Sequence, residues 1–365
     1  AMSFRMGEYH TVYFEVYDNA GNKGTVGQEF NYDNEGPVIT ATGIDWTNAA
    51  SVYARACAVD DGSGVVPNSW GYSLDGGTTW TAITGVILPE ETVEVEVTAE
   101  GITDVRFRVQ DASGNVSYAD VTVKIDRTAP VVAGIGITQD AIIIEENGWI
   151  TESPIVVNVT ADDPSFGGTD VSGIEASVYH VSRPDPYGSG SLVFMEEAPG
   201  TDFYLELSSS GTWYLYLFVR DAAGNMSEEA VRQLLIDLEE PDSPQITSST
   251  HPEADAPEDA VPFSDALFSI KPGNAGVSGV SGYSWEVLEG TGPYNLRQLD
   301  PPLEGSEAGN RIELTGLPDN YEGEYYSLLV RTHTVSGKTS PASVYVFRVD
   351  TSPPQNLVVV SSTHA

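Results

Sequence analysis

Acidic and amide side chains recur along this chain where they could hold a hard cation. Asp60-Asp61 runs into Gly62-Ser63-Gly64, and Asp111 and Asn115 frame the turn Asp111-Ala112-Ser113-Gly114-Asn115. Further on, Asp162-Asp163 and Asp170 precede Ser172-Gly173, and Asp221 and Asn225 frame a second turn of the same type. Asp126 and Asp237 follow the two turns, each shortly before a proline. Calcium takes about six to eight oxygen ligands from carboxylates, carbonyls and amide side chains, often from irregular loops. The candidate ligands are therefore Asp60, Asp61, Asp111, Asn115, Asp126, Asp162, Asp163, Asp170, Asp221, Asn225 and Asp237, with calcium as the expected ion. The same side chains have a use that needs no ion. Asp and Asn accept hydrogen bonds from turn amides and tolerate left-handed backbone.

Other chemistry finds little support. The histidines His10, His180, His251, His333 and His364 are scattered, and no nucleophile elbow, zinc-type His pair or phosphate loop occurs. Cys57 is the one cysteine, so no disulfide forms within the chain, and its place on a period-two strand predicts a half-buried thiol. The expectation is a protein without a catalytic site.

The elements that position the acids form a repeated phrase. Residues 107–130 (FRVQDASGNVSYADVTVKIDRTAP) read as a strand, a tight Asp-x-x-Gly-Asn turn, a second strand, then an Asp and a Pro-marked exit. The phrase recurs at 14–37 and 218–241, and in worn form at 330–353, where Thr334-Val335-Ser336-Gly337-Lys338 replaces the turn. Repetition at this interval marks a tandem array. The closing acids Asp33, Asp126, Asp237 and Asp350 are 93, 111 and 113 residues apart, the length of an ordinary β-sandwich. The predicted modules are 37–129, 130–241 and 242–353, with the last two strands of another at 1–36 and the first strand of a fifth at 354–365. Ser248-Ser249-Thr250-His251 and Ser361-Ser362-Thr363-His364 share that 113-residue interval, so both histidines belong to the repeat.

Hydrophobic alternation fits strands throughout. Val93-Glu94-Val95-Glu96-Val97 and Val105-Arg106-Phe107-Arg108-Val109 put apolar residues on one face and charges on the other. Ile142–Ile144, Ile155–Val159, Thr212–Val219, Leu267–Ile270, Tyr283–Leu288, Tyr325–Arg331 and Ser343–Val349 are the other predicted strands. Residues 228–236 (EEAVRQLLI) have local helix propensity, but their place in the phrase predicts a strand. A Pro/Gly-rich loop is predicted at 182–190 and an acidic one at 252–262. Ser73-Leu74-Asp75-Gly76-Gly77-Thr78-Thr79-Trp80 resembles the Asp-box hairpin of sialidase propellers; a single copy predicts a structural hairpin.

Composition narrows the function classes. With 16 Lys and Arg against 54 Asp and Glu, the 365-residue chain carries a formal net charge of −38, which argues against nucleic acid or an anionic membrane as partner. Self-repulsion at this density favours cations or wide spacing of the charges. A 40% hydrophobic fraction suffices for real cores, and no apolar run approaches a membrane span. No signal peptide is visible and the chain opens in mid-phrase, so the array is expected to continue beyond it.

The Asp-x-x-Gly-Asn turn followed by Asp-x-Thr-x-Pro, with Asp60-Asp61-Gly62-Ser63-Gly64 and Asp170-Val171-Ser172-Gly173 upstream, resembles bacterial immunoglobulin-like repeat domains. These build the stalks of cell-surface proteins and adhesins. The resemblance covers nearly the whole chain and implies an all-β fold of tandem immunoglobulin-like sandwiches in an extended, extracellular array. It implies a structural or adhesive stalk segment whose partners are its neighbouring modules and a surface glycan or host protein, and it permits calcium at the module junctions. Module 242–353 lacks the Asp-Asp pair and the Asp-x-x-Gly-Asn turn, which removes the basis for an ion there. The alternative is an ancillary carbohydrate-binding region of a large extracellular enzyme. Of the tryptophans, Trp70, Trp80, Trp213 and Trp285 fit core or hairpin positions, and Trp46 and Trp149 are the candidates for exposure. A third possibility is self-assembly, because strands at 1–36 and 354–365 are complementary parts of one module.

Overall fold

The computed structural model describes residues 9–85, 91–183, 195–254, 259–291, 295–320 and 323–353. The tail strand at 354–365 with His364, most of the 182–190 loop and the centre of the acidic loop lie outside them.

The described residues form strands and turns with no α-helix. Alternation is the cause, and burial follows it: Val93–Val97 and Arg311–Leu314 bury every second side chain. Residues 230–236 are a strand, as their place in the phrase requires. There the pairing with Gly211–Asp221 outweighs local helix preference. Of the predicted strand Ile142–Ile144, only Ile142 and Ile143 pair, at a sheet edge, and both are exposed.

Three two-sheet sandwiches follow one another. The first packs Val38–Thr42, Val52–Val59 and Val93–Val97 against a sheet ordered Ile44–Thr47, Val116–Ile125, Gly101–Gln110, Gly71–Ser73, Thr81–Ala82. Its core contains Ala54, Val95, Val105 and Phe107, with Trp70 edge-on to Phe107 at 6.3 Å. The second joins a four-stranded and a five-stranded sheet around Ile155, Val157, Leu215, Leu217 and Ile236. The third joins a three-stranded and a four-stranded sheet around Phe268, Tyr326, Leu328 and Phe347. A two-stranded hairpin, Tyr9–Tyr17 with Lys23–Asn31, precedes them.

One device repeats and places the closing acids. The entry strand splits between sheets: Val38–Thr42 pairs antiparallel in one, and Ile44–Thr47 pairs parallel to the last strand in the other. Gly43 makes the crossing, where a Cβ would lie 2.0 Å from the Thr122 carbonyl oxygen. Trp149–Ile150 runs parallel to Ala230–Ile236 in the second sandwich, and Val261 bridges Val349 in the third. The amides of Asp126, Asp237 and Asp350 then donate to Thr47, Ile150 and Val261. Each closing Asp is thereby fixed at the outgoing end of its sandwich.

Candidate functional site

Each Asp-x-x-Gly-Asn turn closes by its own hydrogen bonds. Asp111 N–H donates to Asn115 O and Gly114 N–H to Asp111 O, and the same pair links Asp221, Asn225 and Gly224. Gly114 and Gly224 have φ of 92° and 94°, a region that glycine enters without steric cost. The Asp111 carboxylate accepts from Asn115 N and Nδ2, both at 2.7 Å, and Asp221 does the same with Asn225 at 2.8 and 2.7 Å. Asp111 and Asp221 are buried all the same.

The asparagine then reaches into the incoming linker. Asn115 Nδ2 donates to Glu35 O at 3.1 Å, and Asn225 Nδ2 to Asp126 O at 2.9 Å. The closing Asp of the preceding module meets the upstream loop of the next: Ser63 N–H donates to Asp33 and Ser172 N–H to Asp126, both at 2.7 Å. Asp60 and Asp163 accept from Gly64 N–H and Gly173 N–H. Two triads result, Asp33–Asp60–Asp111 and Asp126–Asp163–Asp221, in each of which one oxygen per residue lies within 4.8 Å of the others. Two oxygens held about 2.4 Å from one ion are at most about 4.8 Å apart, so each triad is close enough to share a metal ion.

The electrostatics of the second triad point the same way. Burial pushes the Asp163 carboxyl above the usual carboxylate range, against donation from Gly173, and the charges of Asp126, Asp221 and Asp162 add to the rise. Its Oδ1 is buried and has no hydrogen-bond partner among the described residues. In the first triad, donation from Ser63 holds Asp33 below its ordinary value. The donor set is all oxygen, partly desolvated and short of positive charge, and it suits a hard divalent cation.

The grouping differs from sequence proximity. Asp126 does not share a pole with Asp60 and Asp111, because the strand Val116–Ile125 carries it to the far end, where it joins Asp163 and Asp221. Asp33, a closing acid absent from the candidate ligands, takes the corresponding place in the first triad. Asp61, Asp162 and Asp170 fall in neither triad. Asp237 meets Ser278 and Ser336 at a third junction with no acidic triad among the described residues. Asp33 was detectable as the closing acid one interval before Asp126.

The remaining polar and aromatic candidates have structural partners. Asp75 accepts from the Ser73 hydroxyl and from the Thr79 amide and hydroxyl, which lowers its pKa to about 2. Arg108 lies over Trp80 at 4.4 Å. Trp46 and Trp149 are half-buried rather than exposed. His251 is fully buried, with Nε2 3.0 Å from Phe263 O and Nδ1 3.0 Å from Thr250 Oγ1. The Cys57 thiol is half-buried.

Fold and junctions together define a tandem immunoglobulin-like β-sandwich protein. Residues 5–34 match the family model of the bacterial Ig-like domain. No curated protein matches the chain. Among solved structures, one concerns host cell surface retention of a 1.5-MDa bacterial ice-binding adhesin, with 13% identity, 87% of this chain and 99% of that one covered, and a TM-score of 0.32. A tetra-tandem repeat from the extending region of a large adhesion protein has 15% identity over 94% of this chain and 82% of its own, with a TM-score of 0.29. Fibronectin(III)-like modules of CbhA from Clostridium thermocellum have 10% identity over 55% and 94%, also with a TM-score of 0.29. Similarities of this size do not bear on function.

Proposed function

We propose that this chain is a non-catalytic stalk segment of a secreted or surface-anchored bacterial protein, with modules at 37–129, 130–241 and 242–353, stiffened by calcium at its first two junctions. One observation carries the reading: each triad takes one acid from the outgoing end of one module and two from loops of the next. An ion held there by Asp33, Asp60 and Asp111, or by Asp126, Asp163 and Asp221, resists bending of the linker between modules. It also neutralises charge in a chain that carries a formal −38. The mechanism is mechanical, with short Pro-marked linkers and mutual repulsion keeping the array extended between its neighbouring modules and whatever glycan or host protein the whole molecule meets. The six tryptophans, each buried or half-buried, do not provide the exposed coplanar rings that a carbohydrate-binding role calls for.

The test is thermal unfolding of the whole chain with chelator and with millimolar calcium. An ion selective for the folded state adds about 2.7 kcal/mol at a hundredfold excess over its dissociation constant. A rise in midpoint that magnesium does not reproduce is expected. An unchanged midpoint overturns the proposal.

A further inference from the structure

The third junction keeps the backbone of the other two and changes its charges. Thr334 N–H donates to Lys338 O, Gly337 N–H to Thr334 O and Val335 N–H to Gly279 O, matching Asp111, Gly114 and Ala112 in the first junction bond for bond. Thr334 therefore stands where Asp111 and Asp221 stand, and Lys338 where Asn115 and Asn225 stand. The Thr334 hydroxyl takes over the acceptor role toward Lys338 N–H at 3.0 Å. Lys338 Nζ donates to Glu239 O at 3.0 Å, two residues past the closing Asp237, as Asn115 Nδ2 does to Glu35 O two residues past Asp33. The ammonium also pairs with Glu240 at 3.0 Å, and the lysine side chain is 11% exposed.

Asp237 groups with no second acid among the described residues, and its Oδ1, like that of Asp163, is buried without a hydrogen-bond partner there. It is fully buried, and its Oδ2 accepts from the Ser278 hydroxyl and, at 3.0 Å, from the Ser336 hydroxyl. Gly276 crowds its Oδ1, leaving 2.4 Å to a would-be Cβ. Where the first two junctions gather three carboxylates, this one sets the Asp237 carboxylate among three hydroxyls, with the Lys338 ammonium on the linker beside Glu240.

We propose that the third junction is closed permanently by Lys338, the chain's own cation, and takes no divalent ion, so that two ion-set joints are followed by one built-in joint. The inference rests on the calcium reading of the first two junctions for its contrast, and on Lys338 alone for its mechanism. The exposed partner Glu240 adds little. The closure comes from a charge-assisted bond to a linker carbonyl at a nearly buried ammonium. Because that cation is covalently attached, its occupancy does not depend on free calcium. An array of this kind softens at two joints and not the third when calcium falls.

Hydrogen exchange of the whole chain, in calcium and in chelator, tests this at the amides of Ser63, Ser172 and Ser278, which donate across the three junctions. Chelation should accelerate exchange at Ser63 and Ser172 and leave Ser278 unchanged. Lys338→Met should accelerate Ser278 roughly tenfold in both conditions, the loss expected for one charge-assisted hydrogen bond. Lys338→Arg should restore protection. A chelator response at Ser278, or Lys338→Met without effect there, overturns the proposal. If Ser63 and Ser172 ignore chelator while Lys338→Met still exposes Ser278, the lysine joint stands and the calcium reading falls.

Discussion

Replacing Asp163 with Asn should change the sign of a stability effect according to whether calcium is present. Asp163 brings one of three carboxylates whose oxygens lie within 4.8 Å of one another. At an effective dielectric constant of about 20, each pair at this spacing costs on the order of 3 kcal/mol. Asp163→Asn removes two of the three repulsions. The new side chain can still accept from Gly173 N–H, now at 2.6 Å from the carboxylate, although that bond weakens with loss of charge. Its amide also places a donor where Oδ1 now lies buried without a partner. Solvent screening at this half-buried site and the weakened Gly173 bond offset most of that relief, leaving a gain of about 2 kcal/mol without calcium, and a module of this size then melts roughly 10 °C higher. In millimolar calcium the order reverses, because two carboxylates hold the ion poorly and the variant forgoes most of the stabilisation that wild type draws from it. Calorimetric melts of both proteins, in chelator and in calcium, read both signs. A variant that melts below wild type in chelator, or that keeps the full calcium shift, would refute the reasoning.

Other consequences follow from the cores and crossings. Trp70→Ala removes the ring packed edge-on to Phe107 and should cost about 3–5 kcal/mol in denaturant unfolding while calcium binding persists. Gly43→Ala drives a methyl group into the Thr122 carbonyl at the strand crossing and should cost about 3 kcal/mol, read by the same method. Burial holds His251 below its ordinary value of 6.5. The unfolded chain therefore takes up the proton more readily, so the full contribution of His251 is present above pH 6.5 and diminishes as pH falls below it. Urea midpoints between pH 7.5 and 5 should decline, and His251→Gln should flatten that decline.

The fold was legible because two independent signals agreed. Alternation in Val93–Val97 and Val105–Val109 identified strands, and the repeated phrase turned the ambiguous EEAVRQLLI into one. The acids were legible as a kind but not as groups. Asp126 lies closer in sequence to Asp111 than to Asp163, yet a ten-residue strand, about 33 Å long, separates Asp126 from Asp111. The contact that matters, Asp126 with Ser172, spans 46 residues and exists only because the parallel entry strand fixes Asp126 at the module's outgoing end. No local pattern encodes it; only the repeat, applied one module further back to Asp33, would have done so. The worn copy at Thr334–Lys338 makes the complementary point. Its hydrogen-bonded turn is the same as at Asp111 and Asp221, so the acids there are not what folds the turn. A side chain that the fold can do without, buried beside two like charges at two junctions and replaced by a hydroxyl at the third together with a lysine in the asparagine position, fits the calcium site proposed above better than a role confined to closing the hairpin.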